Sequence, residues 1–432
     1  MFEVKTLAIL GNGFDVHFDL KTQYKDFYFF LSIINESDDK KFFYKKINEK
    51  FDKIDVKEEI CNKVYDKYKK DYSNNFFVKY FLRLEKYDIN WVGIENELSV
   101  ILHLFDDAFN IVKLVGSSKD KLIIKFMDIL PTDEYYNAFL CLNNIFNEIN
   151  ECDIYKITDN LITLFGKSTP IIGKGNPQTN AIILNDFLSF FPYLLLNSLN
   201  RFEELFSIYI YYFIPQVVKI EKDIFKIPER DRGLFPDDCS DGYLSPEKVI
   251  SYNYTNYGMN NFELDREDVC FVHGRIIFEN DILSNNNCSI VFGIDSSETG
   301  KFINKKYNIF TKKIRRVLYN TDVNNLKKYC DNVQNIVVYG HSLDFADNDS
   351  LSIIINDCMD NYYAAKDRKS KEKSGNPFAI FEWDYDFKII IYYYDEFAKR
   401  NLVCNLERIL KDKFVSMFHN NQIFLYEMER KK

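Results

Sequence analysis

The sequence lacks the features that mark several common classes of protein. Its nine cysteines include no Cys-x-x-Cys pair, which argues against a structural zinc site and predicts reduced thiols in a cytoplasmic protein. The most apolar stretch, residues 187–199, is too short and too interrupted to cross a bilayer. The first residues lead directly into a predicted strand, so we expect no targeting segment. From the cysteine pattern and the apolar stretch described above, we also expect no metal and no membrane partner.

Basic side chains are also too few for a protein that coats nucleic acid. The chain has 56 Lys and Arg residues against 65 Asp and Glu residues, which gives a net charge of −9. General nucleic-acid binding needs a basic face that neutralises phosphates, so we do not expect it here. Apolar surface, in contrast, is abundant. Hydrophobic residues make up 46% of the 432 residues, with 40 Phe and 30 Tyr, enough to bury a sizeable core.

Short apolar runs rich in β-branched and aromatic residues predict the strands of a sheet. These runs are residues 6–10, 247–252, 269–273, 289–293, 335–340 and 387–394. Between the first two runs, apolar residues recur at helical spacing. The pattern predicts an α/β fold: a Rossmann-type, mainly parallel sheet in residues 1–20 and 246–432, and a large helical insertion after the first strand in residues 21–245. The charged residues 366–377 predict a loop.

Glycines and small polar residues follow most of the predicted strands. Because ligands bind at the carboxyl ends of the strands in open α/β sheets, we expect these residues to form a ligand site. The candidate nucleotide-binding residues are Gly11, Asn12, Gly13, Asp15, Thr255, Gly293, Asp295, Gly340, His341, Ser342 and Asp347. Gly11 and Gly13 permit a turn whose bare N–H groups suit a phosphate. The full G-x-G-x-x-G fingerprint fails at Val16, so a plain glycine turn is an equal alternative.

Asn253 and His273 are the candidate catalytic residues. The amide of Asn253 can position a water molecule or a sugar hydroxyl, and His273 can act as a general base or bind a ribose hydroxyl. Each also has a structural interpretation. Asn253 can form an Asx-turn at the end of a strand, and His273 can be a buried histidine with its hydrogen bonds satisfied.

Four further carboxylates and one basic stretch have two interpretations each. Asp15 can bind a ribose hydroxyl or cap the next helix, and Asp347 can mark an anion or ribose site or, like Asp349, cap a helix. Glu95 lies on an apolar helical stripe and either supports a site or reaches water at its edge. The basic residues of 305–318 can meet an anion, but we favour a solvated helix face.

An ordered set of short motifs resembles a known family. The motifs are GNGFD (11–15), WVGIE (91–95), ISYNYTN (250–256), FVHG (271–274), VFGID (291–295), YGHSLDFADNDSL (339–351) and the closing segment from residue 387 to residue 410. Together they resemble the bacteriophage abortive infection AbiH family over essentially the whole chain. One departure is visible, because Phe18 stands after His17 where that family usually has glycine.

The AbiH family in turn resembles sirtuin-like NAD-binding domains. That resemblance implies roles for Gly11 and Gly13 at a diphosphate, Asn253 and His273 at the nicotinamide ribose, and Gly340 and Ser342 at the adenosine. Thr255 stands where the sirtuin-like N-x-D motif has its aspartate, a departure that weakens ribose recognition there. The cysteine pairs of sirtuin deacetylases are absent from the sequence, so the resemblance does not imply protein deacetylation.

The resemblance implies a phage-defence protein that hydrolyses NAD to nicotinamide and ADP-ribose. Nicotinamide leaves as a neutral molecule from a cationic precursor, so the reaction needs a positioned water rather than a general acid. One alternative is a non-catalytic sensor of NAD or ADP-ribose, which Thr255 and the altered loop after His17 favour, whereas Asn253 and His273 together favour the enzyme. Another is an interaction module without ligand. Candidate partners are the nucleotide, a phage-derived trigger or protein, and a second copy of the chain.

Overall fold

The fold was analysed in a computed structural model of the chain. The structure describes residues 5–51, 56–83, 95, 97–103, 106, 177–214, 224–235, 242–276, 290–295, 297, 300–302, 304–319, 321–344, 347–373 and 386–428. The predicted motif WVGIE lies outside these residues except for its last residue, Glu95.

A six-stranded sheet forms the centre of the described structure. Its strands are β1 (Lys5–Leu10), β2 (Lys248–Ser251), β3 (Val269–Phe271), β4 (Val333–Tyr339), β5 (Lys388–Tyr393) and β6 (Ile423–Glu427). They lie in the order β3-β2-β1-β4-β5-β6, and every neighbouring pair is parallel. This is the strand order of doubly wound nucleotide-binding sheets. The prediction of an α/β fold with a parallel sheet is therefore confirmed.

The strands are apolar because both faces of the sheet are covered. All seven residues of β4 and all six of β5 are buried, as expected for parallel strands packed between helices. Ile9 of β1 packs in the same core as Val338 of β4 and Leu351, a residue outside the sheet. Most of the polar residues that were predicted as a site lie beyond the strands, where the loops begin.

Helices account for most of the described residues outside the sheet. They are α1 (Asn12–His17), α2 (Tyr24–Glu36), α3 (Lys40–Lys50), α4 (Glu58–Lys67), α5 (Phe76–Arg83), α6 (Pro177–Phe213), α7 (Tyr257–Asn261), α8 (Lys312–Leu318), α9 (Asn348–Lys373), α10 (Glu396–Leu410) and α11 (Lys413–His419). Short 3-10 helices cover Glu229–Leu234, Arg266–Asp268, Lys305–Phe310 and Asp322–Tyr329. Within the described ranges, no helix is long and apolar enough to span a bilayer.

Two predictions about individual elements are wrong, and one strand was not predicted. The described part of 289–293 forms no strand, although its residues are buried. The sixth strand of the sheet is β6 at Ile423–Glu427, which was not predicted from the sequence. Residues 366–373 continue helix α9 rather than forming a loop, and the rest of that predicted loop lies outside the described residues.

The chain divides into two compact units. The first contains residues 1–68, 203–296 and 312–432, and it holds the whole sheet. The second contains residues 69–202 and 297–311. The division of the chain into a core of residues 1–20 and 246–432 and an insertion of residues 21–245 stays a prediction.

The turns that follow β1 and β4 pack directly against each other. The Gly11 N–H donates to Tyr339 O at 3.0 Å, and the Gly13 N–H donates to Gly340 O at 2.9 Å. Gly340 has a φ of +66°, a conformation that favours glycine. A Cβ atom at Gly340 would collide with the backbone of Gly13 and Phe14. The glycines therefore allow two backbones to approach at the point where the strand order reverses direction.

We predict that Gly340→Ala destabilises the protein by about 2–4 kcal/mol, because it combines a strained backbone with a steric collision. The measurement is the free energy of unfolding in urea. Gly233→Ala is the matched control, since no atom lies within 4 Å of a Cβ added there. Equal unfolding free energies for the two variants would contradict the close packing of the two turns.

Candidate functional site

The carboxyl ends of four neighbouring strands bring most of the predicted site residues to one edge of the sheet. The residues divide into two contact groups rather than one. Asp15, Asn253 and Thr255 meet beside β1 and β2, and we call them the Asp15 cluster. The second group, the Asp347 cluster, consists of His273, Lys312, Arg316, His341 and Asp347.

Neutral donors surround the carboxylate in the Asp15 cluster. Thr255 Oγ1 lies 2.9 Å from Asp15 Oδ2 and 3.0 Å from Oδ1. Asn253 Nδ2 donates to Asp15 Oδ1 at 3.1 Å and to Gly11 O at 3.0 Å. Thr22 also bonds to Asp15, and its hydroxyl lies 2.8 Å from Asn12 Oδ1. The side chain of Asp15, a residue of helix α1, is therefore held in place by residues that follow β2 as well as by its own surroundings.

Burial raises the pKa of Asp15 to about 7. The hydrogen bonds from Thr255, Asn253 and Thr22 act in the opposite direction but only partly offset the loss of hydration. Both protonation states are consequently populated near neutral pH. A carboxyl group with such a pKa can accept a proton from water or bind a hydroxyl.

Asn253 offers one unused polar atom at this edge. The residue is 3% exposed, and its Oδ1 atom has no hydrogen-bond partner among the described residues. Buried polar atoms in native proteins normally have a partner, so an unpaired oxygen at a sheet edge is a candidate ligand or water contact. The alternative of a local Asx-turn does not describe this side chain, because an Asx-turn needs Oδ1 to accept a backbone N–H and this atom has no partner among the described residues.

Charged groups dominate the Asp347 cluster. Asp347 Oδ1 lies 2.8 Å from Arg316 Nη2, 3.1 Å from Lys312 Nζ and 3.3 Å from His273 Nε2. His341 Nε2 lies 3.8 Å from Asp347 Oδ2. The cationic side chains of Lys312 and Arg316 hold the pKa of Asp347 well below its usual range, in spite of its burial.

Hydrogen-bond donors fix the tautomers of both histidines in this cluster. Arg316 can only donate, so His273 Nδ1 accepts from its Nη2 at 3.3 Å and the proton sits on Nε2. The N–H of Leu343 likewise donates to His341 Nδ1 at 2.9 Å. Burial lowers the pKa of His273 to about 3 and that of His341 to about 4. Both rings are therefore neutral, and each has its basic nitrogen engaged.

The prediction of a solvated basic helix at 305–318 is wrong for three of its residues. Lys312, Arg315 and Arg316 of α8 are all buried. Arg315 forms a separate pair with Glu203 of α6 at 2.6 Å, and Glu203 also accepts the N–H of Phe292. Glu203 was not among the predicted site residues, although a carboxylate in the apolar helix LNRFEELFSIYIYYF is a signal of a buried charge.

Four other predicted residues, Gly293, Asp295, Ser342 and Glu95, are not members of either cluster. Gly293 and Asp295 belong to the irregular segment 290–295, where the Val291 N–H donates to His273 O at 2.9 Å. Ser342 is exposed, and its hydroxyl lies 3.3 Å from Asp344. Glu95 is partly exposed and belongs to the second compact unit. Their nucleotide-binding and supporting roles stay predictions.

Comparisons with known proteins agree with one of the predicted resemblances. The fold and the clusters define an α/β protein with buried polar groups at the carboxyl edge of a parallel sheet. The model of the bacteriophage abortive infection AbiH family matches residues 197–365, a segment that contains Asn253, His273, Lys312 and Asp347. This match supports the AbiH resemblance. No curated protein matches the chain, and no solved structure does.

We predict that Asp15→Asn changes how stability depends on pH. Because the folded-state pKa lies above the unfolded one, Asp15 makes the wild-type protein less stable as pH rises from about 4 to about 7. Asparagine does not ionise, so the Asp15→Asn variant does not lose this part of its stability as pH rises. The unfolding free energy of Asp15→Asn should therefore gain about 2–3 kcal/mol on the wild type between pH 5 and pH 8.

The measurement is urea unfolding of both proteins at the two pH values. Asp19→Asn is the matched control, since Asp19 is exposed and its φ of 60° suits asparagine equally well. A difference between Asp15→Asn and wild type that stays constant across this pH range would refute a buried, titrating Asp15.

Proposed function

We propose that this protein acts in phage abortive infection by hydrolysing NAD to nicotinamide and ADP-ribose at the carboxyl edge of its sheet. The AbiH match supports the defence role. The observation that carries the chemical proposal is the Asp15 cluster, in which a carboxyl with a pKa near 7 lies beside the unpaired Oδ1 of Asn253. Strand ends at the reversal of strand order are where open α/β sheets bind nucleotides.

The reaction requires one water molecule and one base. The oxygen of water forms a bond to C1′ of the ribose while the bond from C1′ to the nicotinamide nitrogen breaks. Nicotinamide leaves as a neutral molecule with the electron pair of that bond. The proton lost by the water passes to the Asp15 carboxylate, and Asn253 Oδ1 accepts a hydrogen bond that orients the water.

We assign the role of base to Asp15 rather than to His273, the residue suggested by the sequence. His273 Nδ1 accepts from Arg316 and its Nε2 faces Asp347, so neither nitrogen is available to accept a proton from water in this arrangement. We assign His273 to the support of the strand ends, where its ring lies 5.4 Å from that of Tyr252 and 6.0 Å from that of Tyr254.

A nucleotide sensor without catalysis is the second candidate function. The observation that favours it is the bonding of Asp15, whose buried carboxylate oxygens already accept hydrogen bonds from Thr255 and Asn253. A carboxylate bonded in this way can hold the strand ends in place beside a nucleotide without taking a proton from water. Binding of NAD without its breakdown is the result that would favour the sensor.

We predict that purified wild-type protein releases nicotinamide from NAD and that Asp15→Asn lowers kcat by about 10²–10⁴-fold, because the base is lost. Chromatography of nicotinamide and ADP-ribose measures the rate. Asp19→Asn should retain the wild-type rate. Nicotinamide release by Asp15→Asn at the wild-type rate would remove Asp15 from the mechanism, and NAD-induced thermal stabilisation without any product would favour the sensor.

The same variants separate the defence role from the chemistry. In bacteria challenged with phage, we expect wild-type protein and Asp19→Asn to limit phage propagation and Asp15→Asn to lose this effect, as counted by plaques. Full protection by a stably expressed Asp15→Asn variant would leave the defence role in place and contradict NAD hydrolysis as its cause.

A further inference from the structure

Three donors converge on a single oxygen of Asp347. Arg316 Nη2, Lys312 Nζ and His273 Nε2 all lie within 3.3 Å of Oδ1. Two cations and a neutral N–H around one anionic oxygen is the donor set with which proteins hold a phosphate oxygen. The carboxylate of Asp347 thus occupies a position that is chemically suited to an external anion.

Both cations, Lys312 and Arg316, belong to helix α8. Lys312 and Arg316 are four residues apart and therefore share one face of the helix. Arg316 is 1% exposed, and its Nε atom has no hydrogen-bond partner among the described residues. An anion with several oxygens can satisfy this donor as well, whereas the Asp347 carboxylate leaves it unpaired.

The rival position for a phosphate is less suitable. At the glycine turn after β1, the Gly11 and Gly13 N–H groups already donate to backbone carbonyls. Helix α1, which follows the turn, has only six residues. The buried cations of α8 lie at the same edge of the sheet, beside the residues that follow β3 and β4.

We infer that Lys312, Arg316 and His273 form a binding site for a phosphate group, and that the Asp347 carboxylate fills this site as an internal competitor. Asp347 is the most exposed member of the cluster, with a side chain 12% exposed against 6% for His341 and less for the others. A phosphate that approaches from solvent meets Asp347 first and displaces its side chain. The internal carboxylate keeps the affinity of the unmodified protein low.

This inference rests on the proposed function only for the identity of the ligand, the diphosphate of a dinucleotide. Its test uses inorganic pyrophosphate and measures binding, so no turnover of NAD is involved. NAD hydrolysis without pyrophosphate binding would overturn this site alone. Pyrophosphate binding without NAD hydrolysis would overturn the proposed reaction alone.

The experiment compares pyrophosphate binding by wild type and Asp347→Asn, measured by calorimetry and thermal unfolding at constant ionic strength. Removing the competing charge should tighten pyrophosphate binding by about tenfold or more. Asp349→Asn removes the same charge two residues later, from a side chain that is 35% exposed and 3.5 Å from Arg316, and it should change the affinity little. The double variant Lys312→Met with Asp347→Asn should not bind pyrophosphate more tightly than the wild type, because one of the two cations is missing.

Two results would overturn the inference. One is an equal pyrophosphate affinity in Asp347→Asn and Asp349→Asn. The other is an Asp347→Asn variant that chloride stabilises as much as pyrophosphate does. If Asp347→Asn is unfolded without ligand, because two buried cations have lost their counter-ion, pyrophosphate must restore its circular dichroism spectrum. Failure of that rescue also contradicts a phosphate site.

Discussion

The parallel pairing of β1 with β2 on one side and with β4 on the other determines where polar side chains meet in this protein. Parallel pairing places the carboxyl ends of all six strands at one edge. Since β4 and β5 are buried along their whole length, most of their residues are apolar. The loops after β1 to β4 consequently concentrate the polar groups of the core in one region.

Two consecutive residues after β2 connect the separate clusters at this edge. The ring of Tyr252 lies 4.3 Å from that of His341 and 5.4 Å from that of His273, and its hydroxyl lies 2.9 Å from Ser350. The next residue, Asn253, contacts Asp15 instead. The turn after β2 therefore contributes one residue to the surroundings of each cluster.

The sequence predicts the sheet better than it predicts the site. Apolar runs such as residues 335–340 predict a buried strand because parallel strands that are covered on both faces are mostly apolar. The run 289–293 is equally apolar but is buried without pairing, and IFLYE at 423–427 was missed although it pairs with β5. Candidate residues were found from their position after strands, but their partners were not. The spacing of Lys312 and Arg316 shows that they share a helix face, whereas only the tertiary structure shows that Asp347 covers it.

The two buried aspartates illustrate how surroundings decide the use of the same side chain. Asp15 receives hydrogen bonds from neutral groups, which do not compensate for burial, so its pKa rises to about 7 and its proton can move near neutral pH. Asp347 faces Lys312 and Arg316, so it stays ionised across the physiological range. A group that titrates is suited to accept a proton, and a group that never titrates is suited to act as a fixed charge. In the function proposed above, Asp15 is therefore suited to proton transfer and the cations around Asp347 to anion binding.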